Sequence, residues 1–144
     1  MTCFLGGALD MKLFGRGFKI PIYVNFGRGR IELREVKVEG KCTVLDATLK
    51  AYKAEYFPSD EASGHRGAVV IAIEGVKADL THSWVFYVHD EKLGGWIFPD
   101  KTCDKVELHK GNVVCWRYYN HRVEGFPPKN PPLWRGCMRF GLDR

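Results

Sequence analysis

The chain has no apolar run long enough to span a bilayer and no CxxC pair. A membrane-spanning helix needs about 20 consecutive apolar residues, so no membrane role is expected. Zinc ribbons and thioredoxin-type sites draw on CxxC spacing, and both drop out. Five cysteines remain, Cys3, Cys42, Cys103, Cys115 and Cys137, odd in number and irregular in spacing. That pattern argues against a disulfide framework and for reduced thiols in a cytoplasmic setting. No G-x-S-x-G elbow and no C-G-S-C-W signature occurs, so no recognised nucleophile motif is present. Gly27-x-Gly29 leads into a second strand-like run rather than a helix, which is the wrong setting for a phosphate loop. The carboxylate pairs Asp60-Glu61 and Asp90-Glu91 fall in polar, loop-like stretches, where solvated charge is the usual role. A non-enzymatic protein is the expectation. The opening MTCFLGGALD carries no basic residue ahead of its short apolar run. It therefore reads as an extension rather than a signal peptide, with Met11 as an alternative start.

What is present points to one turn-rich domain. The chain has 144 residues, 45% hydrophobic and 13% aromatic, with 16 glycines and 7 prolines. That length suits a single core without staples. The net charge is +5, and its placement is uneven. Residues 117–144 hold six basic and two acidic side chains, a net of +4. A basic end meets nucleic acid, an acidic partner or simply water.

The residues divide into an extension over 1–18, a domain over 19–121 and a basic, proline-rich tail over 122–144 that packs on the domain. Lys19 to Phe26 reads as a strand, Gly27 to Arg30 as a turn, and Ile31 to Glu39 as the return strand, with a bulge expected near Arg34-Glu35. Thr43-x-x-Asp46 opens a helix in the manner of a capping box. Leu45, Leu49, Tyr52 and Tyr56 share one helical face, so the helix is predicted to run to Pro58. Ala68 to Glu74 and Trp84 to His89 read as strands. Cys103 to His109 and Val113 to His121 are predicted to pair as a hairpin across Lys110-Gly111-Asn112. On that register Val106, Leu108, Val114, Trp116 and Tyr118 face the core, and Cys103, Lys105, Glu107, His109, Cys115, Arg117 and His121 face the wetter side. Phe126 to Pro132 reads as extended, polyproline-like chain.

Three stretches in order, Thr43-Val44-Leu45-Asp46-Ala47, Ser83-Trp84-Val85-Phe86-Tyr87-Val88 and Lys110-Gly111-Asn112-Val113-Val114-Cys115-Trp116-Arg117-Tyr118, together with Gly67 through Ile73-Glu74-Gly75, resemble the transcobalamin C-terminal-like β-grasp family. The resemblance covers about residues 19–120. It departs at His89, where the family has Asn, and at Asn112, where it has Asp. It implies an α+β fold of β-grasp, ubiquitin-like type, a mixed sheet packed on one helix, and a binding or accessory role. Cobalamin binding is not carried over, because the helical barrel that completes the carrier site has no counterpart here.

Trp96 and Phe98 occupy a glycine-rich loop bounded by Pro99, where aromatics either contact ligands or cap a sheet. With Arg117, Tyr119 and His121 on the polar hairpin face they form the candidate binding surface for a small molecule or a protein partner. An exposed strand edge offers a partner a second physical route, by β-augmentation. The alternative is nucleic acid, held by Arg122, Arg135 and Arg139 with nearby aromatics. On the hairpin register Cys103 and His121 are diagonal neighbours, but zinc wants three or four ligands, and His65, His82 or Cys137 would have to arrive from elsewhere. No metal and no cofactor are expected.

Overall fold

The computed structural model describes residues 17–64 and 66–129. Among the described residues, eight strands, a three-residue 3-10 turn (Glu61–Ser63) and two helices run in the order β1 (Gly17–Gly27), β2 (Arg30–Glu39), α1 (Val44–Ala51), β3 (Ala54–Phe57), β4 (Val69–Ile73), β5 (Val76–Lys77), β6 (His82–Asp90), β7 (Gly95–Ile97), β8 (Val113–Asn120) and α2 (His121–Glu124). The fold is α+β, built mostly of strands in two sheets: β2-β1-β8-β6-β7 and a smaller β3-β4-β5. No described helix is long and apolar enough to cross a membrane. The 1–16 extension and residues 130–144, with Arg135 and Arg139, lie outside the described residues.

β1 and β2 form the expected hairpin, turned by Gly27, Arg28 and Gly29 at φ of 85°, 54° and 81°, a left-handed path that glycine takes without strain. β1 then lies parallel to β8, from Ile22↔Val114 to Asn25↔Arg117. β8 runs antiparallel to β6 from His82↔Asn120 to His89↔Val113. The even positions of β1, Ile20, Ile22 and Val24, are fully buried with Val114 of β8 and with Trp116 and α1 in the main core. The register slips between Asn25 and Gly27, not at Arg34-Glu35. Ile31 and Leu33 simply occupy the face opposite Val36 and Val38, and Leu33 on this edge strand stays half exposed.

Thr43 caps α1 as expected: its hydroxyl accepts from the Asp46 N–H at 3.1 Å, and the Asp46 carboxylate accepts from the Thr43 N–H at 3.0 Å. The helix is shorter than predicted. It ends at Ala51. Tyr52 turns inward and donates its hydroxyl to the Ile22 carbonyl at 2.8 Å, and Ala54–Phe57 becomes a strand on β4. Two aromatics at the end of that run favour strand once a partner is beside it.

The predicted last hairpin does not form. Residues 103–108 instead serve the start of α1: the Val44 and Leu45 N–H groups donate to the Val106 and Cys103 carbonyls at 2.9 and 3.0 Å. The first turn of a helix has N–H groups without intrahelical acceptors, and this segment supplies them. β8 takes its partners from distant strands, so Cys103 and His121 are not cross-strand neighbours. The thiol picture also changes. Cys115 is disulfide-bonded, while Cys42 and Cys103 are buried free thiols.

Candidate functional site

The sheet β2-β1-β8-β6-β7 is paired unevenly at β6. β7 covers that strand only from Val88 to Asp90. Continuing the register would set Pro99 opposite Phe86, and proline has no N–H to give a ladder. The chain turns away there, and a cleft of about 520 Å³ opens between β6 and β4. Its floor is Trp84, Phe86 and Trp116, its far wall Ala68, Val69 and Val70, and its near wall Phe98 and Pro99 with Phe126 and Pro127. Phe98 packs within the near wall, with its ring 5.5 Å from Tyr87 and 6.1 Å from Phe126.

The floor presents carbon. The Trp116 indole N–H donates to Thr48 Oγ1 at 2.8 Å, and the Trp84 indole N–H to the Val76 carbonyl at 2.9 Å. Both polar edges are therefore satisfied elsewhere. The Thr48 hydroxyl itself donates to the Val44 carbonyl at 2.7 Å. The loop closing the cleft is fixed at its end. Asp104 accepts from the Ala68 N–H at 3.1 Å and from the Thr102 hydroxyl at 2.6 Å, and its pKa is lowered: those donors outweigh the opposing effect of burial. Gly67 lies so near that a Cβ there would sit 2.0 Å from Thr102 Oγ1, so only glycine fits. Beyond Val69 the cleft continues into a hollow of about 420 Å³ bordered by Arg66, Lys101, Lys105 and Asp100. Burial pushes the Cys103 thiol, also at the cleft, up to about 12.

The sequence-predicted site residues are not one surface. Phe98 is in the cleft wall. Trp96 packs edge-on against His89 at 5.2 Å, beside the cluster of Val85, Tyr87, Cys115 and Tyr119 on the other face of the sheet. Arg117 and Tyr119 are on that face too, but each is 1% exposed. The wet face expected for them is closed. Arg117 forms a buried ion pair with Glu124, Nη1 to Oε1 at 2.8 Å and a second, closer contact from Nη2 to Oε2. His121 opens α2 and has both ring nitrogens engaged, Nδ1 with Ser83 Oγ at 2.7 Å and Nε2 with the Leu80 carbonyl at 2.9 Å. Since a carbonyl only accepts, Nε2 carries a proton. The contact ties α2 to β6 and borders none of the described clefts. Arg122 is exposed and reaches the same Leu80 carbonyl at 3.3 Å. Among the described residues no group of three His, Cys, Asp or Glu side chains is placed to hold a metal ion.

The sequence reading gave Trp84 and Phe86 to a strand and Trp116 to the core face, and left all three out of the candidate site. They are core residues with one edge in the cleft. The available signal was the Phe-Pro pair: of the three in the chain, Phe98-Pro99 and Phe126-Pro127 line the cleft, whereas Phe57-Pro58 does not.

No family model matches the chain, and no curated protein matches it. Among solved structures it is similar to a candidate metal-binding protein from Ruminococcus gnavus ATCC 29149, with 14% identity over 72% of this chain and 97% of that one, and a TM-score of 0.52. It is also similar to haptocorrin in complex with Cbi, with 11% identity over 78% of this chain and a TM-score of 0.55. The match spans 27% of the haptocorrin chain. At these identities the likeness is one of fold.

Proposed function

We propose that this chain is a non-enzymatic binding module of β-grasp type, related to the transcobalamin C-terminal-like domains, and that its site is the aromatic cleft between β6 and β4. The sheet order β2-β1-β8-β6, with β1 and β8 parallel at its centre and α1 on one face, supports the fold reading. The motifs that carry the resemblance lie at the α1 cap, along β6 and along β8, and the two strand motifs supply Trp84, Phe86 and Trp116 to the cleft. The observation that carries the function is the cleft itself: a concave, carbon-lined floor with a few polar groups at the rim is the usual make-up of a binding site. The ligand is a small molecule with an apolar body or an apolar segment of a protein. The nucleic-acid alternative has less behind it: Arg117 is paired inside the protein, and Arg135 and Arg139 lie outside the described residues.

The test is a titration of the full chain with anilinonaphthalene sulfonate and, separately, with cobalamin, followed by tryptophan emission. Saturable one-to-one binding of the dye is expected. Val69→Trp, which fills the cleft from its half-exposed rim, should abolish it. Phe98→Ala should weaken it by about tenfold, as for an aromatic anchor. Dye binding that both variants leave intact would place the site elsewhere. Cobalamin binding sensitive to the same variants would identify the ligand as a corrinoid.

A further inference from the structure

We propose that the natural occupant of this cleft is an extended peptide, a segment of a partner protein that adds to β6 as a further strand, sets an apolar side chain on the aromatic floor and carries acidic groups or a carboxyl end toward Arg66, Lys101 and Lys105. The proposal rests on the cleft being the binding site and names what enters it.

The first argument is the backbone of β6. Along a strand, the N–H and C=O groups of alternate residues point to opposite sides. The Thr81 carbonyl accepts from the His121 N–H, and the His89 carbonyl from the Asn112 side chain, both on the β8 side. The His82 carbonyl accepts from the Asp79 N–H on the other side. Odd positions of β6 thus face β8, and even positions face away from it. Val88 is met there by Ile97. Trp84 and Phe86 meet no strand on that side among the described residues, because β7 stops at Ile97, short of Pro99. Both are largely buried, at 7% and 8% exposure. Two N–H and two C=O groups, roughly 7 Å apart along the strand, therefore face the cleft from buried residues. A row of unpaired strand-edge N–H and C=O groups is a template for pairing with another chain. A hydrocarbon ligand leaves these unpaired, and a peptide strand pairs them at the spacing it already has.

The second argument is charge. At the end of the cleft beyond Val69, Arg66, Lys101 and Lys105 are exposed and make no ion pair among the described residues. Asp100 stands among them. The nearby Asp104 adds a second carboxylate, in electrostatic contact with Lys105, so three cations stand against two anions. The surplus is positive and matches an acidic or carboxyl-terminated peptide.

The test is backbone amide hydrogen exchange by NMR on the full chain, with four hexapeptides: acetyl-Thr-Val-Phe-Val-Glu-Asp and its relatives with Trp, Tyr or Leu at the central position. In the free protein the Trp84 and Phe86 amides should exchange at least tenfold faster than the Val85 amide, as open edge groups do. At least one peptide should slow both by tenfold or more. An analogue N-methylated at alternate residues should not, although its side chains are unchanged. Lys101→Glu with Lys105→Glu should weaken the peptide by about tenfold without altering the free-protein exchange. Protection of Trp84 and Phe86 without peptide, no protection by any of the four, or equal binding of the N-methylated analogue each overturns the proposal. Retained dye binding in those cases leaves the cleft as a small-molecule site, whereas loss of dye binding as well removes the reading beneath it.

Discussion

Arg117 and Glu124 are 1% and 2% exposed and meet through two N···O contacts. An exposed pair of this kind contributes about 0–1 kcal/mol. A buried pair that loses one partner leaves an uncompensated charge out of water and costs about 3–5 kcal/mol. Domains of this size have roughly 5–15 kcal/mol in total, so Glu124→Gln should remove a large share. With a urea slope of about 2 kcal/mol per M, the unfolding midpoint should fall by roughly 2 M. The double variant Arg117→Met with Glu124→Leu keeps the volume and removes both charges, and should return to within about 1–2 kcal/mol of the original. The assay is urea unfolding followed by tryptophan emission on all three proteins. A midpoint shift below about 0.5 M for Glu124→Gln, with no recovery in the double variant, would refute the buried pair. It would restore Arg117 as a solvent-facing group free to contact a ligand.

Three further outcomes follow from local geometry. Thr48→Val removes the acceptor of the buried Trp116 indole N–H and should cost about 1–3 kcal/mol in chemical unfolding, whereas Thr48→Ser should cost far less. Asp79 is held at about 2 by the N–H groups of Thr81 and His82 and by the Thr81 hydroxyl. Its support of the turn before β6 should be complete above the ordinary carboxylate pKa of about 4 and lost as pH falls through about 2, and a carboxyl NMR titration with a midpoint near 4 would contradict this. Burial raises the Cys42 thiol and pushes Cys103 up to about 12, so both should be inert to Ellman's reagent at pH 8 until denaturant is added. The stabilisation that comes with the neutral Cys103 thiol is kept below its ordinary pKa and lost as pH climbs toward about 12.

Interactions close in sequence were legible. The Thr43–Asp46 cap, the Gly27–Gly29 turn and strands β1, β2, β4 and β6 each rest on residues within a few positions of one another. Choices between distant partners were not. Tyr56 satisfies a helical spacing, yet it lies in β3 because Val70 of β4 is there to pair with it. Cys103 to His109 has strand-like alternation, yet its carbonyls go to the helix start at Val44 and Leu45. In both cases the local pattern fits two states, and a backbone partner from elsewhere in the chain selects one.

The same division holds for the site. The sequence alone placed Phe98 and Pro99 in a loop apt for contact, and determined the aromatic strand Trp84–Tyr87, because residue type and spacing set those features locally. Only the tertiary structure decided that β7 stops at Ile97 and leaves Trp84 and Phe86 without a strand partner on that side among the described residues, that Val69 and Val70 come to face them, and that Arg117 is shut away with Glu124. Each of these depends on register between segments far apart in the chain, and register is settled by which face buries the most apolar surface once all the strands are present.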